Sequence, residues 1–237
     1  MIELRPFASL GAADHGWLDA HHHFSFASYH DPSRVHWGSL RVWNDDVIAP
    51  KSGFPAHPHS DMEIITYVRS GAITHQDSMG NEGRTEAGDV QVMSAGTGVR
   101  HSEWNADEAP CTLFQLWIIP DRSGGEPSWG ARQFPKGERA GSFVPLASGR
   151  ANDGDALPIR SDARVLGATV QAGESVTYRP DDAERHLYLV PATGKVRVAA
   201  DQDEVEANAR DGVAITQSRT LTITAIEDSE LVLVDAA

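Results

Sequence analysis

Short apolar runs, rather than long amphipathic stretches, recur along the whole chain. They occur at residues 62–68, 90–93, 113–119, 165–170, 186–190, 195–198 and 221–226, and turn-forming Gly, Pro, Asp and Asn residues surround them. Runs of this length between turn formers are typical of β-strands. No segment shows the 3.6-residue apolar repeat of a long amphipathic helix. The pattern therefore predicts an all-β protein made of sandwiches or barrels.

Two parts of the chain show the same order of strands and turns. An apolar strand, a turn ending in glycine and a second strand occur at residues 64–75 and again at 187–198. A further apolar strand follows each of them, at 86–93 and 209–216, and a last apolar strand closes each repeat. Chance similarity between β-sequences is the alternative, but the matching order of three pieces favours duplication of one folding unit.

The stretch between the two repeats has the composition of a connection. Residues 119–158 are rich in Gly, Pro, Ser and charge, with little periodicity. Ten of the eleven histidines lie in residues 1–101. We therefore predict two domains, residues 1–130 and 131–237, and we look for polar chemistry in the first.

Composition and charge narrow the classes of function. Hydrophobic residues make up 40% of the chain and charged residues 23%, as is usual for a protein with a buried core. The formal net charge of −14 opposes phosphate backbones, so we expect no direct nucleic-acid partner. The single cysteine, Cys111, allows no internal disulfide. There is no signal-peptide pattern and no apolar run near the ~18–20 residues of a membrane helix, so we expect a cytoplasmic protein.

Two pairs of potential metal ligands have the same spacing. Residues i and i+2 of an extended chain point to one side, so His57 and His59 share a face, and Pro58 restricts His57 to extended geometry. About forty residues later, His101 and Glu103 repeat the arrangement. Three neutral imidazoles and one carboxylate form a suitable set for one divalent transition metal, with positions left for substrate or dioxygen.

Other residues near these pairs are candidates for supporting roles. Glu63 shares the face of His57 and His59 if their strand continues regularly. Gln115 shares a face with Trp117 in a later apolar run, and the pair are candidates for the wall of the barrel interior.

The remaining histidines are given no ligand role. His21, His22 and His23 are adjacent and would point in different directions in a strand, so a structural role is favoured over a second metal site. His75 and Asp77 are expected to belong to a turn network and are assigned no chemistry.

The positions of these residues resemble the two motifs of the cupin superfamily. The first motif runs glycine, His-x-His, glutamate, glycine, and the matching residues are Gly53, His57, His59, Glu63 and Gly71. The second motif has its counterparts at Gly88, Gly96, His101 and Asn105. Ser94 departs from that motif, which usually has proline there.

Residues 38–68 are more specifically similar to the signature of the pirin family. The segments HQDSMG, VQVMSAGTGVRHSEWN and LFQLWIIP are similar to it as well, and the resemblance covers at least residues 19–120. It implies a bicupin of two β-barrel or jelly-roll-like domains, with metal only in the N-terminal one. The C-terminal half agrees, since His186 is its only histidine.

The resemblance also implies a ligand set and a reaction. Carried onto this sequence, the ligands are His57, His59, His101 and Glu103. Glu63 is the alternative carboxylate, because many other cupins use that position. Pirin-like proteins are associated with quercetin 2,3-dioxygenase activity, which implies a flavonol and dioxygen as substrates. Fe(II) is then the first choice of metal, with Mn, Ni, Co, Cu and Zn as alternatives.

In this reaction Glu103 would be the catalytic base as well as a ligand, because a carboxylate can take the proton of the flavonol hydroxyl. Phe54 and Trp104 stand beside the ligands in sequence and are candidate walls of an apolar pocket for the flavonol. The family resemblance also implies an alternative class of function, a metal-dependent redox-sensing module that binds a protein partner and modulates a transcription factor. A third alternative is a metal-stabilised barrel without a ligand.

Overall fold

The structure, a computed structural model, describes every residue from Met1 to Ala237 and confirms the all-β prediction. Apart from two short 3-10 turns at Phe7–Ser9 and Lys136–Arg139, its regular elements are all strands. The strands of the first half are β1 Ile2–Arg5, β2 Gly11–Asp14, β3 Leu18–His22, β4 Leu40–Ile48, β5 Ser52–His59, β6 Glu63–Ser70, β7 Ala72–Asp77, β8 Glu82–Glu86, β9 Val90–Ser94, β10 Val99–Asn105, β11 Cys111–Ile118 and β12 Ser128–Arg132. Those of the second half are β13 Val144–Ser148, β14 Leu157–Pro158, β15 Ala163–Val170, β16 Ser175–Tyr178, β17 His186–Thr193, β18 Lys195–Ala200, β19 Asp203–Asn208, β20 Gly212–Ile215, β21 Leu221–Ala225 and β22 Ser229–Ala236.

The apolar runs of the sequence all fall on strands. They coincide with β6, β9, β11, β15, β17, β18 and β21, and the ends differ by no more than about three residues, the usual scatter of strand boundaries. The connection at residues 119–158 is more ordered than its composition indicates, because it contributes β12, β13 and β14 to the edges of two sheets. No helix of the chain is long and apolar enough to cross a membrane.

The strands form two barrels with matching topology. The N-terminal barrel combines a sheet of order β12-β9-β6-β11-β4-β3-β2 with a sheet of order β5-β10-β7-β8. The C-terminal barrel combines the orders β1-β20-β17-β22-β15-β13-β14 and β16-β21-β18-β19. The order β9-β6-β11-β4 is repeated as β20-β17-β22-β15, so the repeat in the sequence is a repeat of the fold. The domain division after residue 130 stays a prediction; β1, the first strand of the chain, pairs with β20 of the C-terminal barrel.

The two seven-stranded sheets pack face to face and share the largest apolar core. This inter-barrel core contains 23 buried residues, including Trp43, Tyr67 and Phe114 from one sheet and Tyr188 and Val232 from the other. Side chains alternate between the two faces of each strand. Each central strand therefore contributes one row of side chains to the inter-barrel core and the other row to the interior of its own barrel.

The interiors of the two barrels differ in polarity. An apolar cluster of 18 buried residues fills the C-terminal barrel. Inside the N-terminal barrel there are only two smaller clusters, of 7 and 4 buried residues. The buried residues that face its interior also include Thr66, Gln91, Glu103 and Gln115. The N-terminal barrel is thus the one that can hold polar chemistry.

A buried charge network ties the connection to both barrels. Arg139 is 1% exposed, and its Nη2 donates to Glu230 Oε1 of β22 at 3.0 Å and to the Tyr67 hydroxyl of β6 at 3.1 Å. Lys136 Nζ donates to the other oxygen of Glu230 at 2.7 Å. Arg139 therefore links one strand of each barrel from a third segment of the chain.

We expect Arg139→Met to lower the free energy of unfolding by about 3 kcal/mol, the lower end of the range for breaking a buried ion pair, because Lys136 still neutralises part of the Glu230 charge. The matched control is Arg197→Met. This arginine is 46% exposed in its pairs with Glu204 and Glu206, so the change should cost about 1 kcal/mol or less. Urea unfolding followed by fluorescence measures both values, and equal losses for the two variants would contradict the role given to Arg139.

Candidate metal centre

Three histidines meet where β5 and β10 pair in the four-stranded sheet of the N-terminal barrel. His101 lies directly opposite His57, and His59 lies opposite Val99. One ring nitrogen from each histidine lies within 4.8 Å of those of the other two. The Nε2 atoms of His57 and His101 are only 3.1 Å apart. Nitrogens gathered this closely can hold one metal ion.

A β-bulge and a glycine allow β5 and β10 to present these side chains. The register between the strands shifts between His101 and Glu103, so that His101 pairs with His57 and Glu103 pairs with Phe54. A Cβ atom on Gly53 would lie 2.1 Å from the carbonyl oxygen of Glu103, so only glycine fits at this close approach. The first glycine of the motif therefore has a steric role at the bulge, and bulges of this kind re-aim side chains next to functional sites.

The protonation of the cluster suits a metal ion. His57 Nδ1 lies 2.7 Å from the carbonyl oxygen of Pro55, which can only accept, so Nδ1 carries the proton and Nε2 keeps its lone pair. Burial, reinforced by neighbouring His57, lowers the pKa of His59 to about 4. Burial is also the main reason that the pKa of His101 falls to about 2. Metal ligation requires neutral imidazoles with free lone pairs, and the low pKa values of His59 and His101 keep these two rings neutral near pH 7.

Glu103 follows His101 on the same strand and is held by uncharged donors. It is 1% exposed. Its Oε1 accepts hydrogen bonds from Gln91 Nε2 at 2.8 Å and Thr66 Oγ1 at 3.1 Å, and its Oε2 accepts one from Gln115 Nε2 at 2.7 Å. Burial raises the pKa of Glu103. Glu103 lies outside the group of three close histidine nitrogens, so its role as fourth ligand stays a prediction. Gln115, a predicted neighbour of the site, contacts Glu103 directly.

The structure turns Glu63 away from the histidines. The condition under which Glu63 would share the face of His57 and His59, a strand that continues regularly, is not met, because a turn with a positive φ at Asp61 separates β5 from β6. Glu63 opens β6 in the other sheet of the barrel and lies on the same side of that strand as the core residue Tyr67. Its carboxylate accepts a hydrogen bond from Ser94 Oγ. Among the two carboxylates that the sequence proposed, the geometry therefore favours Glu103.

The two predicted aromatic walls have different positions. Phe54 is half-buried, and its ring centroid lies 6.2 Å from that of His57. Trp104 is 44% exposed, because strand alternation puts it on the face opposite to Glu103. The structure therefore brings Phe54 to the cluster and leaves Trp104 on the outer surface.

Two other aromatic residues form a chain of ring contacts that starts at His59. Trp117 meets the ring of His59 edge-on at a centroid distance of 5.0 Å, and Phe26 meets Trp117 edge-on at 5.4 Å. His59 also borders an open cleft of about 490 Å³ that includes Ser78 and Arg100. Phe26 could not be found from the sequence, because it lies in the loop after β3, far from both ligand pairs.

The C-terminal barrel has apolar residues at the positions that correspond to the site. Both barrels have a turn glycine with positive φ, Gly71 and Gly194, between their matching strands. Counting from these glycines and following the strand pairing, the equivalent positions are His75 and Val198, Asp77 and Ala200, His101 and Leu221, and Glu103 and Ile223. All four C-terminal residues belong to the apolar core of that barrel. We therefore expect it to bind no metal.

Comparison with known proteins agrees with this division into two halves. The Pirin family model matches residues 4–118, and the model of the quercetinase C-terminal cupin domain matches residues 146–236. A pirin-like protein of Caulobacter vibrioides is 64% identical over 237 residues and covers 100% of both chains. The quercetin 2,3-dioxygenase of Escherichia coli K12 is 41% identical over 99% of this chain and 98% of its own.

Solved structures show the same fold. The crystal structure of YhhW from Escherichia coli has a TM-score of 0.93 with 40% identity, over 100% of this chain and 98% of that one. A second YhhW structure, a bacterial pirin in complex with nickel(II), has a TM-score of 0.91 with 40% identity, over 100% and 99% of the two chains. These structures match both barrels of this chain, and their 40% sequence identity indicates a relationship closer than a shared fold.

We expect one transition metal ion per chain, and we expect the double change His57→Ala with His59→Ala to abolish its binding, because two of the three converging nitrogens disappear. The control is His186→Ala, which removes the only histidine of the C-terminal barrel and should leave the stoichiometry unchanged. Elemental analysis and calorimetric titration with Ni(II) measure the stoichiometry. Retention of one tightly bound ion by the double variant would show that the site lies elsewhere.

Proposed function

The chain belongs to the pirin family, and from this membership we propose that it is a metal-dependent dioxygenase that opens the central ring of flavonols such as quercetin. The observation that carries the proposal is the convergence of three histidine nitrogens on the strand pair that also carries the buried carboxylate of Glu103. The quercetin 2,3-dioxygenase of Escherichia coli, a relative over nearly the whole chain, supports the choice of substrate.

His57, His59 and His101 would hold the metal, with Glu103 as fourth ligand. Fe(II) is our first choice, because mixed imidazole and carboxylate ligation with open positions suits oxygen chemistry, and Mn, Ni, Co, Cu and Zn are alternatives. When bound, the ion supplies Lewis acidity toward the 3-hydroxyl and 4-carbonyl oxygens of the flavonol. No comparable donor set is present in the C-terminal barrel.

Glu103 is the group that would take the proton of the flavonol 3-hydroxyl. Its raised pKa, caused by burial, brings the carboxylate closer to the range in which a base works best near neutral pH. Three uncharged donors, from Thr66, Gln91 and Gln115, hold its two oxygens in place without neutralising its charge. The barrel thus holds the carboxylate of Glu103 as a fixed proton acceptor, just after the bulge that follows His101.

The surroundings of His59 suit a flat aromatic molecule. Trp117 meets the ring of this histidine edge-on and donates its Nε1–H to Gln115 Oε1 at 3.2 Å, and Phe26 packs edge-on against Trp117. His59 also lines a cleft of about 490 Å³, a volume within the usual range of a small-molecule site.

The second candidate function is a metal-dependent redox-sensing module that binds a protein partner. One observation favours it: Trp104 is exposed on the outer face of the strand whose inner face carries His101 and Glu103. Exposed tryptophans are frequent anchors of protein interfaces. This candidate becomes the first choice if metallated protein has no activity toward flavonols.

With Fe(II) or another suitable divalent metal restored, we expect the protein to consume quercetin and dioxygen and to release carbon monoxide in equal amounts. Glu103→Gln should retain the fold, since the change is nearly isosteric, and kcat should fall by ~10²-fold or more because the proton acceptor is lost. Oxygen uptake, quercetin absorbance and carbon monoxide release are measured together.

Two comparisons sharpen this test. Glu82→Gln, on the exposed side of β8, is the matched control and should leave turnover unchanged. Glu63→Gln compares the rival carboxylate, and a larger loss with Glu63→Gln than with Glu103→Gln would reverse the assignment of the base. Absence of both oxygen uptake and any flavonol-dependent spectral shift in fully metallated protein would refute the dioxygenase function.

A further inference from the structure

Two buried polar residues beside the histidine cluster have no part in the reaction as described. His75 is fully buried; its Nε2 lies 3.1 Å from Asp77 Oδ2, and its Nδ1 lies 3.4 Å from His101 Nδ1. We infer that Asp77 and His75 are positioning residues that set the tautomer and ring orientation of His101, so that its Nε2 lone pair points into the metal site. This inference rests on the metal site of the proposed function.

Asp77 is the fixed end of this chain of contacts. Its side chain is fully buried, and its Oδ1 accepts hydrogen bonds from the backbone N–H groups of Met79 and Asn81 at 2.9 and 3.0 Å. Its Oδ2 accepts from Asn81 Nδ2 at 2.9 Å, in addition to His75. A carboxylate surrounded by so many donors stays ionised and can only accept. The ring nitrogen of His75 that faces it must therefore carry the proton.

The position of that proton determines the tautomer of His101. In a neutral His75, protonation of Nε2 leaves Nδ1 as an acceptor. The group that faces it is His101 Nδ1, which must then donate and so carries the proton of its own ring. The Nε2 of His101 is left with a lone pair, 3.1 Å from the lone pair of His57 Nε2. Two facing lone pairs repel each other, and a cation bound between them would relieve that repulsion.

The ring plane of His75 is fixed as well. Trp129 of β12 stacks on it with an interplanar angle of 7° and a centroid distance of 4.9 Å. Gly83, the residue opposite His75 on β8, makes room for this indole, since a Cβ atom there would lie 2.2 Å from the ring of Trp129. With its plane held by Trp129 and one nitrogen held by Asp77, His75 can offer its other nitrogen in one direction only.

The C-terminal barrel provides an internal comparison. It has Val198 and Ala200 at the positions of His75 and Asp77, together with Leu221 at the position of His101. The hairpin formed by β18 and β19 is paired over its whole length without this polar pair. The fold of the hairpin therefore does not require His75 and Asp77, which occur only in the barrel that has the histidine cluster.

The inference is tested by His75→Leu and His75→Gln, with His186→Leu as the matched control. Leucine removes both hydrogen-bonding atoms, whereas the amide of glutamine can donate to Asp77 and accept from His101. We expect the affinity for Ni(II), measured by calorimetry, to fall about 10- to 100-fold for His75→Leu. His75→Gln should recover most of that loss, and His186→Leu should bind as the unchanged protein does.

The second measurement needs neither metal nor turnover. Long-range proton–nitrogen NMR spectra of the metal-free protein report the tautomer of each imidazole. We expect His101 to be protonated at Nδ1 in the unchanged protein and in His75→Gln, and to be a tautomer mixture in His75→Leu. Circular dichroism verifies that each variant is folded.

The outcomes separate this inference from the proposed function. An Nδ1-protonated His101 that is unaltered in His75→Leu, or a His75→Leu variant with full Ni(II) affinity, overturns the inference and leaves the dioxygenase proposal intact. A changed His101 tautomer and a lower Ni(II) affinity in His75→Leu support the inference. If the unchanged protein at the same time has no activity toward quercetin, the proposed substrate is wrong and the inference still holds.

Discussion

The packing of the two seven-stranded sheets against each other is the interaction on which the rest of the structure depends. Their shared core contains 23 buried residues, whereas the apolar clusters inside the N-terminal barrel contain 7 and 4. Burial of apolar surface is the main favourable contribution to folding, and it must offset the conformational entropy of every ordered residue. A barrel whose interior apolar residues form only these two small clusters contributes less of this burial from within than the C-terminal barrel, whose cluster has 18 residues. Its outer sheet face, packed on the C-terminal barrel, compensates for that deficit.

The duplicated fold thereby divides stability from chemistry. In the C-terminal barrel, Leu221 and Ile223 occupy the positions that His101 and Glu103 occupy in the N-terminal barrel. The C-terminal barrel therefore has a packed apolar interior in place of a polar site. The connection reinforces the junction, because Arg139 contacts a strand of each barrel. The C-terminal barrel has a structural role that follows from its contacts, independent of what the N-terminal barrel binds.

The features that could be predicted from the sequence depend on residues close together in the chain. The strands and the two ligand pairs follow from a period of two residues, which any extended segment obeys. Whether the strand continued to Glu63 could not be decided, because the turn at Asp61 adopts a positive φ without glycine, and nothing in the local pattern indicates it. Trp104 could have been placed correctly, since alternation puts a neighbour of Glu103 on the other face. His75 and Asp77 required the register between β7 and β10, which no single segment contains.

The same distinction between local and long-range order appears within the candidate metal centre. His57 is given its tautomer by Pro55, two residues away, whereas His101 depends on a chain of contacts that crosses to a neighbouring strand. Both routes aim an Nε2 lone pair at the same point before any ion arrives. Converging lone pairs repel each other in the metal-free protein, and binding of an ion between them would relieve that repulsion. A preorganised site of this kind is tolerable only where other contacts hold the fold together, as the core between the two barrels does.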